Sequence, residues 1–324
     1  MGFFDNLVGA FLKLTDPTPE YTGPRCLLER NSVGGCDKCQ QVCPHQAIDL
    51  QSFTVEISEI KCTSCGLCTA VCPGVALEFP LGPFQEKLHR GHGQIRCSKA
   101  PGTGDEIHCL GQLTPGVLAE SGSRYGLLTL AHGDCATCRI GGPSIPERVQ
   151  WAAQEGRKYF PGLEVHLQQD SLRGAEVGRR EFFGAILGGA KRSAAELVPN
   201  LPLPQIESYE DKRSDHPAEL RLRKVAAHRA QAVQWPRIAV AEGCTLCPVC
   251  TNVCPTRAVE RERETVEGLS EEFVLRLNVS ACTGCGACVE SCPPQVISLV
   301  EASRDEVFDE PLELHRGTPP WYDF

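Results

Sequence analysis

The sequence predicts an α+β chain in which two small turn-rich modules flank a small α/β domain built on a parallel sheet. Three observations carry that expectation. Towards each end of the chain lie two closely spaced cysteine runs of one grammar, Cys-x2-Cys-x2-Cys-x3-Cys-Pro or a shortened form of it. Residues 90–170 instead alternate apolar strands with helical patterns, which implies parallel crossovers. The 324 residues include 31 Gly and 24 Pro but only 6% aromatics, a balance that suits compact turn-rich units better than one large core.

Residues 1–23 predict an amphipathic N-terminal helix or arm. Phe3, Phe4, Leu7, Val8, Phe11 and Leu12 fall on one helical face. A helix lying in a membrane interface carries basic residues on its polar face; here Lys13 stands alone, so docking on a partner or on the protein's own body is expected. The start has no basic n-region and Asp5 interrupts its apolar stretch, so no signal peptide is read. The thiols are therefore expected to be reduced and the protein cytoplasmic, with membrane association only through a partner. No run of about 18 apolar residues offers a transmembrane helix. The net charge of −9 excludes the basic footprint of a nucleic-acid binder.

The 20 cysteines fall into sets. Three runs are complete: Cys62, Cys65, Cys68 and Cys72 before Pro73; Cys244, Cys247, Cys250 and Cys254 before Pro255; Cys282, Cys285, Cys288 and Cys292 before Pro293. A fourth, Cys36, Cys39 and Cys43 before Pro44, has Val33 where its leading cysteine belongs. Three thiolates on one tight loop reach only three corners of a four-iron cage, and the fourth, redirected by the following proline, is carried to a neighbouring cage. Zinc normally takes paired Cys-x2-Cys motifs rather than this triple.

These runs make 24–82 and 236–300 resemble two-cluster bacterial ferredoxins over their whole length. The resemblance implies a pseudo-duplicated fold of short strands and helices, with a short strand before each second cluster loop (TVEISEIKC and FVLRLNVSAC). Four [4Fe–4S] sites follow. Cys43, Cys62, Cys65 and Cys68 form group I; Cys36, Cys39 and Cys72, with Cys26, form group II. Cys244, Cys247, Cys250 and Cys292 form group III; Cys254, Cys282, Cys285 and Cys288 form group IV. Cys26 supplies the thiolate missing at Val33; the competing reading is a [3Fe–4S] cluster with Cys26 merely buried.

Four cysteines remain, Cys97, Cys109, Cys135 and Cys138, enough for one more site. Around them Gly93–Cys97, Gly126–Ala131 and Leu163–Leu167 read as strands, and Leu113–Ser121 and Pro146–Phe160 as helices. The cysteines then sit where strands end and loops begin, the usual ligand edge of such sheets. The segments HCLGQLTPGVLAE and GLLTLAHGDCATCRIG resemble the delta-subunit family of the methyl-viologen-reducing hydrogenases, and that resemblance implies a [2Fe–2S] cluster. The family's crowded upstream cysteines are absent, with Cys97 alone in their place, so a [4Fe–4S] cluster or zinc stays open. His108 and His132 flank the set and are expected to tune it by hydrogen bonding.

Residues 171–235 read as a connector: a helix over Gly178–Leu197, a proline-broken linker and a basic helix over Ala218–Val233. The string Gly178-Arg179-Arg180 resembles an export signal but lies mid-chain and is read as a helix start. Residues 301–324 read as an acidic C-terminal tail. Residues 236–324 carry 7 basic and 15 acidic side chains, which suits docking on a basic redox partner as well as simple solubility.

No Gly-x-Gly-x-x-Gly after a strand and no P-loop is present, and no catalytic residue is expected. The sequence thus predicts an iron–sulfur electron-transfer protein: a wire of four [4Fe–4S] clusters and one further cluster of the [2Fe–2S] type, acting as a subunit or partner of a larger oxidoreductase. Two alternatives are a redox enzyme with thiol or disulfide chemistry at Cys135 and Cys138, and a redox-sensing protein.

Overall fold

A computed structural model of the chain describes residues 18–30, 35–169, 171–172, 217–266 and 270–320. The apolar face at Phe3–Leu12, the helix expected over Gly178–Leu197 and the proline-broken linker lie outside the described residues.

The first module is built from very short elements: β1 (Glu20–Tyr21), α1 (Leu27–Arg30), α2 (Lys38–Val42), β2 (Ile48–Asp49), β3 (Glu56–Ile57), α3 (Leu67–Val71) and β4 (Leu77–Glu78). β1 pairs antiparallel with β4 and β2 with β3. Two-residue ladders hold little by themselves. Buried Arg25 supplies a clasp, donating to Val75 O (2.9 Å), Glu78 Oε2 (2.6 Å) and Thr22 Oγ1 (3.2 Å). Among the described residues the module's own apolar cluster has seven buried members, two of them Cys26 and Cys39, while Cys65, Leu67, Phe79 and Leu81 pack into the middle domain's core. So small a core needs a further staple.

After α4 (Gly82–Arg90) comes the middle domain: β5 (Gln94–Cys97), β6 (Glu106–Ile107), α5 (Pro115–Tyr125), β7 (Leu127–Ala131), α6 (Ile145–Arg157) and β8 (Glu164–Gln168). Its sheet is parallel throughout, in the order β6-β5-β7-β8. β6 is missing from the sequence reading because two residues show no periodicity. Thr114 caps α5 by accepting from Val117 N, Pro115 opens the helix, and Gly126 at φ +74° ends it. α5 is buried along most of its length because α7 (Ala218–Arg229) covers it. Buried Glu219 of α7 accepts from Gly116 N (2.7 Å) at the start of α5 and from Arg223 Nε (2.8 Å).

The second module repeats the first on longer strands: β9 (Trp235–Val240), α8 (Val249–Val253), β10 (Val259–Val266), β11 (Ser270–Leu277), α9 (Ala287–Glu290), β12 (Ile297–Ala302), α10 (Arg304–Phe308) and β13 (Leu312–Gly317). The outer pair β9–β12 and the inner pair β10–β11 are antiparallel, matching β1–β4 and β2–β3. Trp235 is fully buried, edge-on to Tyr159 at 5.1 Å, and its Nε1 donates to Cys282 O (3.2 Å).

The acidic tail expected over 301–324 is corrected where it is described. Ser303 and Glu306 form a capping box that starts α10, and β13 adds a third antiparallel strand beside β11. Of the tail's acidic residues Glu313 pairs in this sheet, with Arg316, which also pairs with Glu264 of β10; Arg276 pairs with Glu262 and Glu264. Charged side chains alternate along one face of these strands, which reads as solvated chain until the partner strand is known.

Candidate metal centres

The four runs share one local backbone device. Three residues after each Cys-Pro cysteine the chain enters the left-handed region, at Gln46 (φ 50°), Val75 (51°), Arg257 (53°) and Gln295 (54°). Side chains with a Cβ are uncommon there and the conformation costs about 1–2 kcal/mol. The turn aims the next amide back at the sulfur: Ala47 N donates to Cys43 Sγ (3.3 Å), Ala76 N to Cys72 Sγ (3.2 Å) and Ala258 N to Cys254 Sγ (3.2 Å). Within the Cys-x2-Cys loops, Ser64 (φ 55°), Leu246 (52°) and Gly284 (73°) turn the same way. The backbone thus folds each loop around its thiols and offers amide protons to charge on sulfur.

The structure brings the flanking cysteines into four sets, each completed by a cysteine from the other run of its module. Cys65 and Cys68 lie beside Cys62 and Cys43, and all four line one cavity with Ile48 and Phe79. Cys39 lies beside Cys72, Cys36 and Cys26. Cys250 lies beside Cys247, Cys244 and Cys292. Cys288 lies beside Cys285, Cys282 and Cys254. Burial, reinforced by the neighbouring thiols, pushes Cys39 and Cys250 up to about 12. Burial also raises Cys282 to about 12, against a backbone bond from Gly284. Such thiols repel one another as thiolates and need a bound cation to discharge them.

The middle set stands at the carboxyl edge of the parallel sheet. Cys97 ends β5, Cys109 follows β6, and Cys135 and Cys138 lie in the turn after β7. They line one small pocket together with His108 and His132. Cys109 is raised to about 12 by burial with Cys65, Cys97 and Cys138 near it, and Cys135 to about 11 by burial with Cys97 and Cys138 near it. Asp134 shapes the turn by accepting from Ala136 N (3.1 Å) and Thr137 Oγ1 (2.7 Å). Ile140 N donates to Cys138 Sγ (3.4 Å), and His132 Nδ1 lies 3.5 Å from Cys135 Sγ.

Among the described residues no three His, Cys, Asp or Glu side chains close on a single metal ion. Each set offers four thiols, the donor number that a [4Fe–4S] or a [2Fe–2S] cluster takes. All-thiol donors, amides aimed at sulfur and apolar walls fit iron–sulfur clusters.

Sequence reasoning missed the residues that fasten group I to the middle set. Thr63 Oγ1 donates to Ile140 O (2.7 Å), Gln112 Nε2 to Ser64 O (2.9 Å), and His108 Nε2 lies 2.9 Å from Thr63 O. Gly66 and Gly111 let the two loops touch backbone to backbone. Only the glycines, at the ends of otherwise ordinary loops, could have signalled so close an approach.

Two family models match the chain, both described as a 4Fe-4S dicluster domain, over residues 34–76 and 237–293. One subunit of the ion-translocating oxidoreductase complex of Methanosarcina acetivorans is 50% identical over 45 residues, 14% of this chain and 17% of that protein. Polyferredoxin protein MvhB of Methanothermobacter marburgensis is 35% identical over 68 residues, 20% of this chain and 16% of its own length. Ferredoxin-type protein NapF of Haemophilus influenzae is 35% identical over 60 residues, 18% of this chain and 32% of that protein. The chain thus spans a third or less of the length of these relatives, and no solved structure matches it. It carries two 4Fe-4S dicluster domains of ferredoxin type, on either side of a parallel-sheet domain that neither model reaches.

Proposed function

We propose that the chain is an electron-transfer protein that holds five iron–sulfur clusters and works as a subunit or partner of a larger oxidoreductase. Four are [4Fe–4S] clusters on groups I to IV, with Cys26 a ligand of group II. The fifth, on Cys97, Cys109, Cys135 and Cys138, is of the [2Fe–2S] type carried over from the delta-subunit resemblance. The observation that supports the reading is that the 20 cysteines divide by spacing into five groups of four with none left over, and that thiols assigned to one group neighbour one another.

Bound clusters would supply one-electron donor and acceptor sites, within a possible span of about −700 to +450 mV. The chain's own residues do the rest. The thiolates ligate, and Leu67, Leu77, Leu110 and Val279 exclude water. The amides of Ala47, Ala76 and Ala258 stabilise negative charge on sulfur, which favours the reduced state. Among the described residues no helix is long and apolar enough to cross a membrane.

The test is a stepwise anaerobic reductive titration followed by low-temperature EPR. The expected result is several reversible one-electron signals from one chain. Clusters that bind but take up no electron reversibly from any one-electron reductant would overturn the proposal in favour of a sensing role.

A further inference from the structure

Four packed junctions link the five thiol groups in series. At the first junction the loop Cys62–Gly66 of group I lies on Cys109–Gln112 of the middle set. A Cβ on Gly66 would stand 2.5 Å from Gln112 Cα, and one on Gly111 would stand 2.5 Å from Cys65 O. The hydrogen bonds of Thr63, Gln112 and His108 clamp that contact from both sides. Groups I and II meet where α2 and α3, carrying Cys39 and Cys68, pack on each other.

The two modules meet through groups II and IV. Cys36 of group II and Cys285 of group IV line the same cleft, with Pro73 between them. Pro255, next to Cys254, lies 3.4 Å from where a Cβ on Gly74 would stand. Arg30 Nη1 also donates to Asn252 O (3.1 Å), on α8 between Cys250 of group III and Cys254 of group IV. Group III follows group IV through the packing of α8, which carries Cys250, on α9, which carries Cys288.

The middle domain also touches the second module, through Tyr159 against Trp235 and through Gln234 N donating to Lys158 O (2.7 Å). That contact lies at the carboxyl end of α6, where the chain re-enters the sheet at the start of β8. Trp235 Nε1 leads on to Cys282 O of group IV (3.2 Å), but the cysteines of the middle set occupy the opposite edge of their sheet, at the strand ends, away from this contact.

We infer that electrons run through the order middle set, I, II, IV, III, entering and leaving at the two ends, with I, II and IV as relays. This rests on the proposal that the groups hold iron–sulfur clusters. Each hop oxidises one group and reduces the next by one electron, with no bond made or broken. The outer donor and acceptor are one-electron redox proteins docking at the middle set and at group III.

Magnetic coupling between neighbouring reduced clusters reads the order directly. Full-length protein, fully reduced by dithionite, is compared by pulsed EPR with two double variants that each take two ligands from one group, so that no three-iron remnant is held: Cys36→Ala/Cys39→Ala for group II and Cys285→Ala/Cys288→Ala for group IV. In the group II variant the coupling of group I to the middle set and of group III to group IV is expected to persist, while group I and group IV each lose one partner. In the group IV variant group III is expected to lose its splitting altogether, with the middle set, I and II still coupled. Loss of group III splitting in the group II variant, or its survival in the group IV variant, would overturn the order. If a variant loses iron from all groups, wild-type protein frozen at successive potentials reads the same pairs, with coupling between the middle set and group III overturning the order. Wild-type protein without iron would instead refute the function proposed above, so the two failures are distinct.

Discussion

Replacing Gly66 by alanine tests the seam between group I and the middle set. Gly66 has φ +84°, and its new methyl would stand 2.5 Å from Gln112 Cα and 2.6 Å from Gln112 N and Gly111 O, all backbone atoms that cannot swing aside. The left-handed conformation costs an L-residue about 1–2 kcal/mol, and crowding fixed backbone adds about 1–3 kcal/mol. Gly286 is the internal control. It follows the second cysteine of its loop in the same way, at φ +79°, but has nothing within 4 Å. Gly286→Ala therefore bears only the conformational cost. The difference, about 1–3 kcal/mol, is about 5–150-fold in rate at 1.4 kcal/mol per decade, if the contact is already lost at the unfolding barrier. Anaerobic bleaching of the visible cluster absorbance in guanidinium gives the rates, since loss of iron makes unfolding irreversible. Gly66→Ala is expected to bleach faster than Gly286→Ala by that factor. Equal rates would mean that the loop Cys62–Gly66 is not pressed on Gln112, and the first junction would fall.

Three further outcomes are expected. Cys26→Ala should lose one iron and show a three-iron EPR signal, whereas unchanged spectra would remove Cys26 from group II. Glu120, whose side chain is 1% exposed, accepts from Arg124 Nε (2.5 Å), Gln85 Nε2 (3.2 Å) and His89 Nε2 (3.1 Å). Burial opposes its charge, yet those bonds hold its carboxyl below the ordinary value. A depressed carboxyl contributes in full above its unfolded value of about 4.3 and loses that contribution as pH falls through the folded one. Glu120→Gln should therefore lower stability by about 1–3 kcal/mol, with a gap in thermal midpoint that is flat from about pH 8 to 5.5. A gap closing inside that window would place the effect on another group. Finally, anaerobic chelation of iron should expose 24–82 to protease before 90–169, because the first module has two-residue ladders and a small cluster built partly on its own cysteines, while the middle domain keeps a four-stranded sheet under two helices; equal rates of cleavage would contradict this.

Much of this was readable from local chemistry. The spacing of Cys62, Cys65 and Cys68 and the proline after Cys72 specify a loop without reference to the rest of the chain. The continuous apolar run at Gly126–Ala131 likewise located β7 to within a residue, and the helix expected over Leu113–Ser121 starts within two residues of α5 but runs on to Tyr125. What could not be read was contact between ordinary residues far apart in sequence. Thr63 and Ile140 are 77 positions apart, and Gly116 and Glu219 are 103 apart. The left-handed Gln46, Val75, Arg257 and Gln295 gave no sign, because nothing in a Cβ-bearing residue announces a positive φ. β13 was lost for a related reason: its charged alternation has meaning only beside β11.

The most direct test of the central claim is an iron and acid-labile sulfide count on anaerobically purified protein. About 18 irons per chain are expected, sixteen in four cubanes and two in the fifth centre. Colourless protein, or zinc in place of iron at these cysteines, would contradict it.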